Sequence, residues 1–156
     1  MNAVYAGSFD CYTNGHHDIV RRASRLFDTL YIVIAVNTAK KRTYPAEMMA
    51  AAIRAALARD NITNCTVEIC TTLVAEYCSE KGIDCFIRGL RNNLDYNYEE
   101  NVAEVNKLVS PSMETIYFRS DTRGISSSMV KELHYFGKDV SSYVPPEVWK
   151  CICENS

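Results

Sequence analysis

Seven consecutive apolar residues, Leu30-Tyr31-Ile32-Val33-Ile34-Ala35-Val36, stand between polar stretches. A run this short that is apolar at both parities reads as a strand covered on both faces, the situation of a strand inside a parallel sheet. The chain must then supply helices above and below it. It does so, because apolar runs alternate with amphipathic segments from end to end, the βαβ rhythm of a sheet wrapped by helices.

Asn2–Ala6 reads as the first strand, and Gly15–Phe27 as a helix with Ile19, Val20, Ala23 and Phe27 on one face. After the Leu30–Val36 strand comes a basic loop, Thr38–Tyr44, and Pro45 suits the first turn of a helix running to about Ala58. Thr66–Cys70 is a short strand, Val74–Lys81 a helix stopped by Gly82, and Cys85–Arg88 another strand. A helix over Leu94–Leu108, a strand at Glu114–Phe118, and helices at Ser127–Phe136 and Pro146–Cys153 complete the chain.

The 156 residues suit a single domain, residues 1–156, of α/β class. It is a doubly wound five-stranded parallel sheet with helices on both faces, a Rossmann-like arrangement. Ligands in such sheets sit at the carboxyl ends of the strands, which points to the segments after Ala6, Val36, Arg88 and Phe118.

Charge narrows the function classes. With 23% charged residues and a net charge of -2, the chain lacks the net basic face of a protein that holds nucleic acid by bulk charge. A local basic pocket for one phosphorylated small molecule remains compatible. No apolar run approaches the ~18 residues of a membrane span, and the Met1–Ala6 start lacks a basic signal region, so a cytoplasmic enzyme is expected. Seven cysteines without a C-x-x-C pair read as reduced, mostly buried thiols.

Four segments at strand ends could carry chemistry. The first is Gly7-Ser8-Phe9-Asp10-Cys11-Tyr12-Thr13-Asn14-Gly15-His16, where a following helix would aim its N–H groups and positive dipole end at a phosphate. His16 falls in the first helical turn, able to donate to a phosphate oxygen, and His17 points elsewhere. The second is Lys40, Lys41 and Arg42, either a solvated face or an anion site.

In the third, Arg88 and Arg91 flank Gly89-Leu90, a spacing that lets two planar forks grip two different phosphates. Asp95 and Glu99, at i and i+4, are either partnered by Arg91 or Mg²⁺ or simply solvated. The fourth is Asp121-Thr122-Arg123-Gly124-Ile125-Ser126-Ser127-Ser128, whose hydroxyls open a helix and serve either as an N-cap or as a grip on a triphosphate tail.

Taken together, Gly7–Asp10 with Thr13-Asn14-Gly15-His16, Ile87–Arg91 with Asp95, Tyr98 and Glu99, and Ile125–Ser128 with Val130-Lys131 resemble the bacterial phosphopantetheine adenylyltransferases of the HxGH nucleotidyltransferase superfamily. The T-x-G-H form marks the superfamily, and R-G-L-R followed by D-x-x-Y-E is more specific to this member. The resemblance spans nearly the whole chain. It implies transfer of the adenylyl group of ATP to 4′-phosphopantetheine, giving dephospho-coenzyme A and pyrophosphate, with Mg²⁺ assisting.

Direct attack without a covalent intermediate is implied, as is a homohexamer inhibited by coenzyme A. Carried over by position, His16 and Lys40 would stabilise the α-phosphate, Ser8 would hydrogen-bond the reacting phosphates, Arg88 would hold the acceptor phosphate, and Arg91, also counted as catalytic, would join the Ser126–Ser128 helix start on the tail of ATP. Phe9, Gly89, Leu90, Arg91, Glu99, Thr122, Arg123, Gly124, Ile125, Ser126, Ser127 and Ser128 would contact ATP, and Val74 would line the pantetheine arm.

The chain departs from the family pattern in places. Ala6 and Cys11 replace usual prolines, and Asp121–Ser126 lacks a common aromatic, coming closer to the R-T-x-G-I-S of related cytidylyltransferases. ATP is favoured because those enzymes lack R-G-L-R…D-x-x-Y-E. A glycerol-phosphate-type cytidylyltransferase and a non-catalytic nucleotide or coenzyme A sensor are the alternatives.

Overall fold

In a computed structural model that describes residues 1–90, 103–120 and 125–155, five parallel strands form one sheet in the order β3-β2-β1-β4-β5. The strands are β1 Asn2–Gly7, β2 Thr29–Ala35, β3 Cys65–Cys70, β4 Cys85–Leu90 and β5 Glu114–Arg119. The helices are α1 Asn14–Ala23, α2 Ala46–Arg59, α3 Val74–Lys81, α4 with described residues 103–109, α5 Ser127–Tyr135 and α6 Pro146–Glu154. The expected doubly wound α/β fold is the observed one.

Period-two alternation assigns the faces. Ala3 and Tyr5 of β1, Leu30, Ile32 and Ile34 of β2, and Cys85 and Ile87 of β4 pack with α1, α2, α5 and α6. Their neighbours Val4, Ala6, Val33 and Phe86 pack on the other face with Ala75 and Cys78 of α3. Leu30, Ile32, Val33 and Ile34 are wholly buried, each burial contributing roughly 1.5–3 kcal/mol. That is why β2 is apolar at both parities.

Element ends shift for local reasons. α1 stops at Ala23 rather than Phe27, because the Asn64 side-chain amide donates to the carbonyls of Ser24 and Phe27 at 2.8 and 3.0 Å, drawing that turn out of the helix. Pro45 stands just outside α2 at its N-cap position, where only its carbonyl takes part, accepting from the Met49 amide at 3.1 Å. β4 runs past Arg88 to Leu90 because β5 continues beside it, pairing Gly89 with Phe118 and Leu90 with Arg119. Gly82 ends α3 in the left-handed region, at φ 66°.

β1 and β4 are neighbours in the sheet although far apart in sequence, so the strand order turns between them. Their carboxyl ends open a crevice there. Among the described residues no helix is long and apolar enough to cross a membrane.

Gly89 sits at this crevice under α1, where an added Cβ would lie 2.6 Å from the Ile19 Cδ1 atom. Gly89→Ala is expected to lower stability by about 1–3 kcal/mol through overpacking. Ile19→Val, which removes the obstructing methyl, should recover part of that loss in urea titrations of the double variant.

Candidate active site

The site begins where β1 ends. Gly7 leads into exposed Ser8, and Phe9 then reverses the chain at φ 43°, a region that non-glycine residues rarely occupy. Burial compensates for this backbone, since the Phe9 ring meets Tyr5, Tyr12 and His16 edge-on at centroid distances of 5.3, 5.6 and 5.0 Å.

Asp10 fixes the next step. Its buried carboxylate accepts from the Thr43 and Tyr44 amides, both at 2.9 Å, with Lys131 Nζ at 3.5 Å and Arg42 Nη2 at 3.9 Å. Arg42 in turn donates to the carbonyls of Ser8 and Tyr44 at 2.6 and 3.0 Å. Of the basic triplet, then, Arg42 is a brace that holds two loops together, and not an open anion contact.

α1 starts with a capping box in which histidine takes the place usually held by Glu or Gln. The Thr13 hydroxyl accepts from the His16 N–H at 3.4 Å, and the Thr13 N–H donates to His16 Nδ1 at 2.9 Å. With Nδ1 accepting, the neutral ring carries its proton on Nε2, the atom that a phosphate oxygen would use. The T-x-G-H motif is therefore a helix cap and an imidazole orienter at once. His17 turns away to Tyr12 and Asp60.

Two cavities open at this edge. One, of about 360 Å³, is lined by Gly7, Ser8, Phe9, Thr13, Gly15 and His16 with Arg88, Gly89, Ser120 and Ile125–Ser128. The other, of about 590 Å³, lies beside α3, and Val36, Leu73, Val74 and Phe86 give it an apolar wall. Ala6, Gly7 and Arg88 line both. Arg88 also donates to the Ala6 carbonyl at 3.3 Å, which ties it to the seam between them.

The first cavity brings together Ser8, Phe9, His16, Arg88, Gly89, Ile125, Ser126, Ser127 and Ser128, all expected at the site. Val74 joins Arg88 in the second. Leu90 ends β4 with its carbonyl accepting from Ser120 and lines neither cavity. Lys40 is exposed on the loop after β2 and also lines neither, although Asn37 and Thr38 on the same loop line the second. Arg91, Asp95, Tyr98, Glu99, Thr122, Arg123 and Gly124 lie outside the described residues.

The serines divide their tasks. Ser126 caps α5 by accepting from the Met129 amide, Ser127 donates to the Cys11 carbonyl at 2.5 Å, and all three hydroxyl residues line the first cavity. The Cys11 thiol is wholly buried, and burial pushes it up to about 11. It is no nucleophile at neutral pH.

Sequence reasoning names Asp10 and Arg42 but not their bracing role, and it misses Tyr5, Ile19 and Ser120, which line the first cavity. No local signal marks these roles, because they are made through backbone groups or neighbouring elements. Among the described residues no three His, Cys, Asp or Glu side chains gather as a metal site. The first cavity's described lining offers hydroxyls and no carboxylate, which suits a Mg²⁺ carried in on nucleotide phosphates with water completing its shell.

Residues 4–133 match the cytidylyltransferase-like family. The chain is 38% identical over 148 residues to the phosphopantetheine adenylyltransferase of Shouchella clausii, covering 94% of this chain and 92% of that protein. It is 40% identical over 148 residues to the phosphopantetheine adenylyltransferase of Herpetosiphon aurantiacus, covering 94% and 88%. Among solved structures, a protein assigned as a nicotinate-nucleotide adenylyltransferase from Vibrio parahaemolyticus shares the fold with a TM-score of 0.74 at 15% identity, covering 98% of this chain and 91% of that one.

Asp10→Ala would leave the Thr43 and Tyr44 amides without their acceptor. A loss of roughly 2–3 kcal/mol is expected, with faster proteolysis in the 37–44 loop. Asp10→Asn, which keeps one carbonyl acceptor, should fall between the two; equal stability of all three would remove Asp10 from this role.

Proposed function

The chain belongs to the phosphopantetheine adenylyltransferases within the cytidylyltransferase-like family, and we propose that it transfers the adenylyl group of ATP to 4′-phosphopantetheine. The products are dephospho-coenzyme A and pyrophosphate. One observation carries this reading: a polar cavity at the starts of α1 and α5 and a partly apolar cavity beside α3 meet at Gly7 and Arg88. A triphosphate fits the first, where helix N-termini and hydroxyls converge. A phosphate with an extended, largely apolar arm fits the second.

In the reaction an oxygen of the acceptor phosphate attacks the α-phosphorus, a P–O bond forms, and the bond to the β-phosphate oxygen breaks as pyrophosphate departs. No protein atom is bonded to the nucleotide along the way. Arg88, at the seam, holds the acceptor phosphate. His16 donates from Nε2 to an α-phosphate oxygen as charge builds there, an oxyanion-type contribution from a pre-set ring.

Ser8 hydrogen-bonds the reacting phosphates, and Ser126–Ser128 hold the triphosphate tail at the start of α5. Lys40 adds positive charge from its exposed loop when substrates are bound. Arg91, Glu99 and the Thr122–Gly124 segment complete the nucleotide contacts by family position. Hydroxyls such as Ser8 and Ser128 are the protein groups that would help hold a Mg²⁺ carried in on the triphosphate, and the ion would offset phosphate charge there. A cytoplasmic homohexamer that supplies dephospho-coenzyme A to coenzyme A synthesis and is restrained by coenzyme A is the setting this reading implies.

Pyrophosphate release is expected with ATP only when 4′-phosphopantetheine is present. Turnover with CTP and a phosphorylated alcohol, and none with the ATP pair, would overturn the reading. His16→Ala should lower kcat by about 10²–10³ with a smaller change in ATP affinity. Arg88→Ala should raise KM for the acceptor well above any change for ATP, and a loss confined to ATP would reassign that arginine.

A further inference from the structure

Beyond its capping contacts with Thr13, the His16 imidazole is held by neighbouring rings. The ring is enclosed by aromatics: Phe9 meets it edge-on, Tyr5 lies 6.2 Å away, and Tyr12 stacks beside it at 5.7 Å with an interplanar angle of 26°. Tyr12 is wholly buried, and its hydroxyl lies 3.0 Å from His17 Nδ1. His17 Nε2 lies 2.6 Å from Asp60 Oδ2, at the end of α2.

The chemistry of the three groups fixes the direction of these bonds. Burial holds the Tyr12 phenol well above its ordinary range, so it keeps its proton and needs an acceptor. His17 lowers the Asp60 carboxyl below its usual value through their hydrogen bond, so Asp60 accepts as a carboxylate. With the phenol donating, His17 accepts at Nδ1 from the Tyr12 hydroxyl and donates from Nε2 to Asp60. Arg59 occupies the other Asp60 oxygen at 2.6 Å, which leaves the carboxylate little freedom to swing away.

We infer that Asp60, His17 and Tyr12 form a positioning relay that holds the His16 imidazole in its working orientation. Asp60 sets the His17 tautomer, His17 anchors the Tyr12 hydroxyl, and the stacked Tyr12 ring holds the His16 imidazole in place. None of the three lines either cavity. The relay's effect on turnover rests on the role given to His16 above, while its effect on ring position does not.

Two independent readouts test it. In the NMR spectrum, the His16 ring protons should be displaced by the Tyr12 and Phe9 ring currents, and His17→Leu should move them toward ordinary positions and broaden them. Tyr12→Phe should do the same. His17→Gln, whose amide can both accept from Tyr12 and donate to Asp60, should restore most of the original spectrum. Unmoved His16 signals in His17→Leu would overturn the relay whatever the activity.

In steady-state assays His17→Leu should lower kcat by roughly tenfold, within the ~10²-fold that a 1 Å misplacement can produce, with both KM values little changed. In a His16→Ala background the same substitution should have almost no further effect on kcat. An equal loss in both backgrounds would mean that His17 acts otherwise, which overturns the proposal. A near-normal kcat for His16→Ala alone would instead remove His16 from catalysis, and the NMR comparison would still decide the relay.

Discussion

The Asp10 carboxylate is the contact on which the site's geometry depends. It receives two backbone amides from the loop before α2 and faces Lys131 of α5, so one side chain joins three segments distant in sequence. A buried carboxylate is tolerable only when hydrogen-bonded and paired, and these partners meet both conditions. Hydrogen bonds to a charged acceptor are worth about 1.5–3 kcal/mol each, enough to hold the Gly7–His16 loop in one shape. A loop that already stands in position need not reorganise when charge develops on a phosphate beside it.

That loop works because of where the sheet places it. β1 lies at the centre, and the strand order turns between β1 and β4, so the loop after β1 and the end of β4 face each other across the crevice. Alternation along the strands then separates two environments. Tyr5 belongs to the face of α1 and α5, whereas Ala6 and Phe86 belong to the face of α3. Arg88 stands at the carboxyl edge where the faces meet and lines both cavities.

Much of this was legible in the sequence where one element decides its own structure. The apolar run of β2 required cover on both faces, Gly82 marked the end of α3, and the strand ends located Ser8, His16, Gly89 and Ser126–Ser128. Contacts made through backbone groups far away in sequence were not legible. Nothing around Asp10 announces that its partners are amides more than 30 residues on. Nor does the basic triplet show that Arg42 folds inward while Lys40 stays in solvent, because an exposed lysine is placed by no packing constraint. Tyr12, His17 and Asp60 escaped for the same reason, since two lie in one loop and helix and the third ends another helix.

Cys11 shows how such a site tolerates an unusual residue. The group the site uses at this position is the carbonyl, which accepts from Ser127 and so links the first loop to the start of α5. Every residue type supplies that carbonyl, proline included. The side chain needs only to be small and apolar enough to be buried, and a protonated thiol behaves as a small hydrophobe. With its thiol pushed up to about 11, Cys11 stays in that form at neutral pH. A cysteine here thus keeps the bond between the loop and α5, and its backbone is held by its neighbours, with Asp10 clasped on one side and Tyr12 buried on the other.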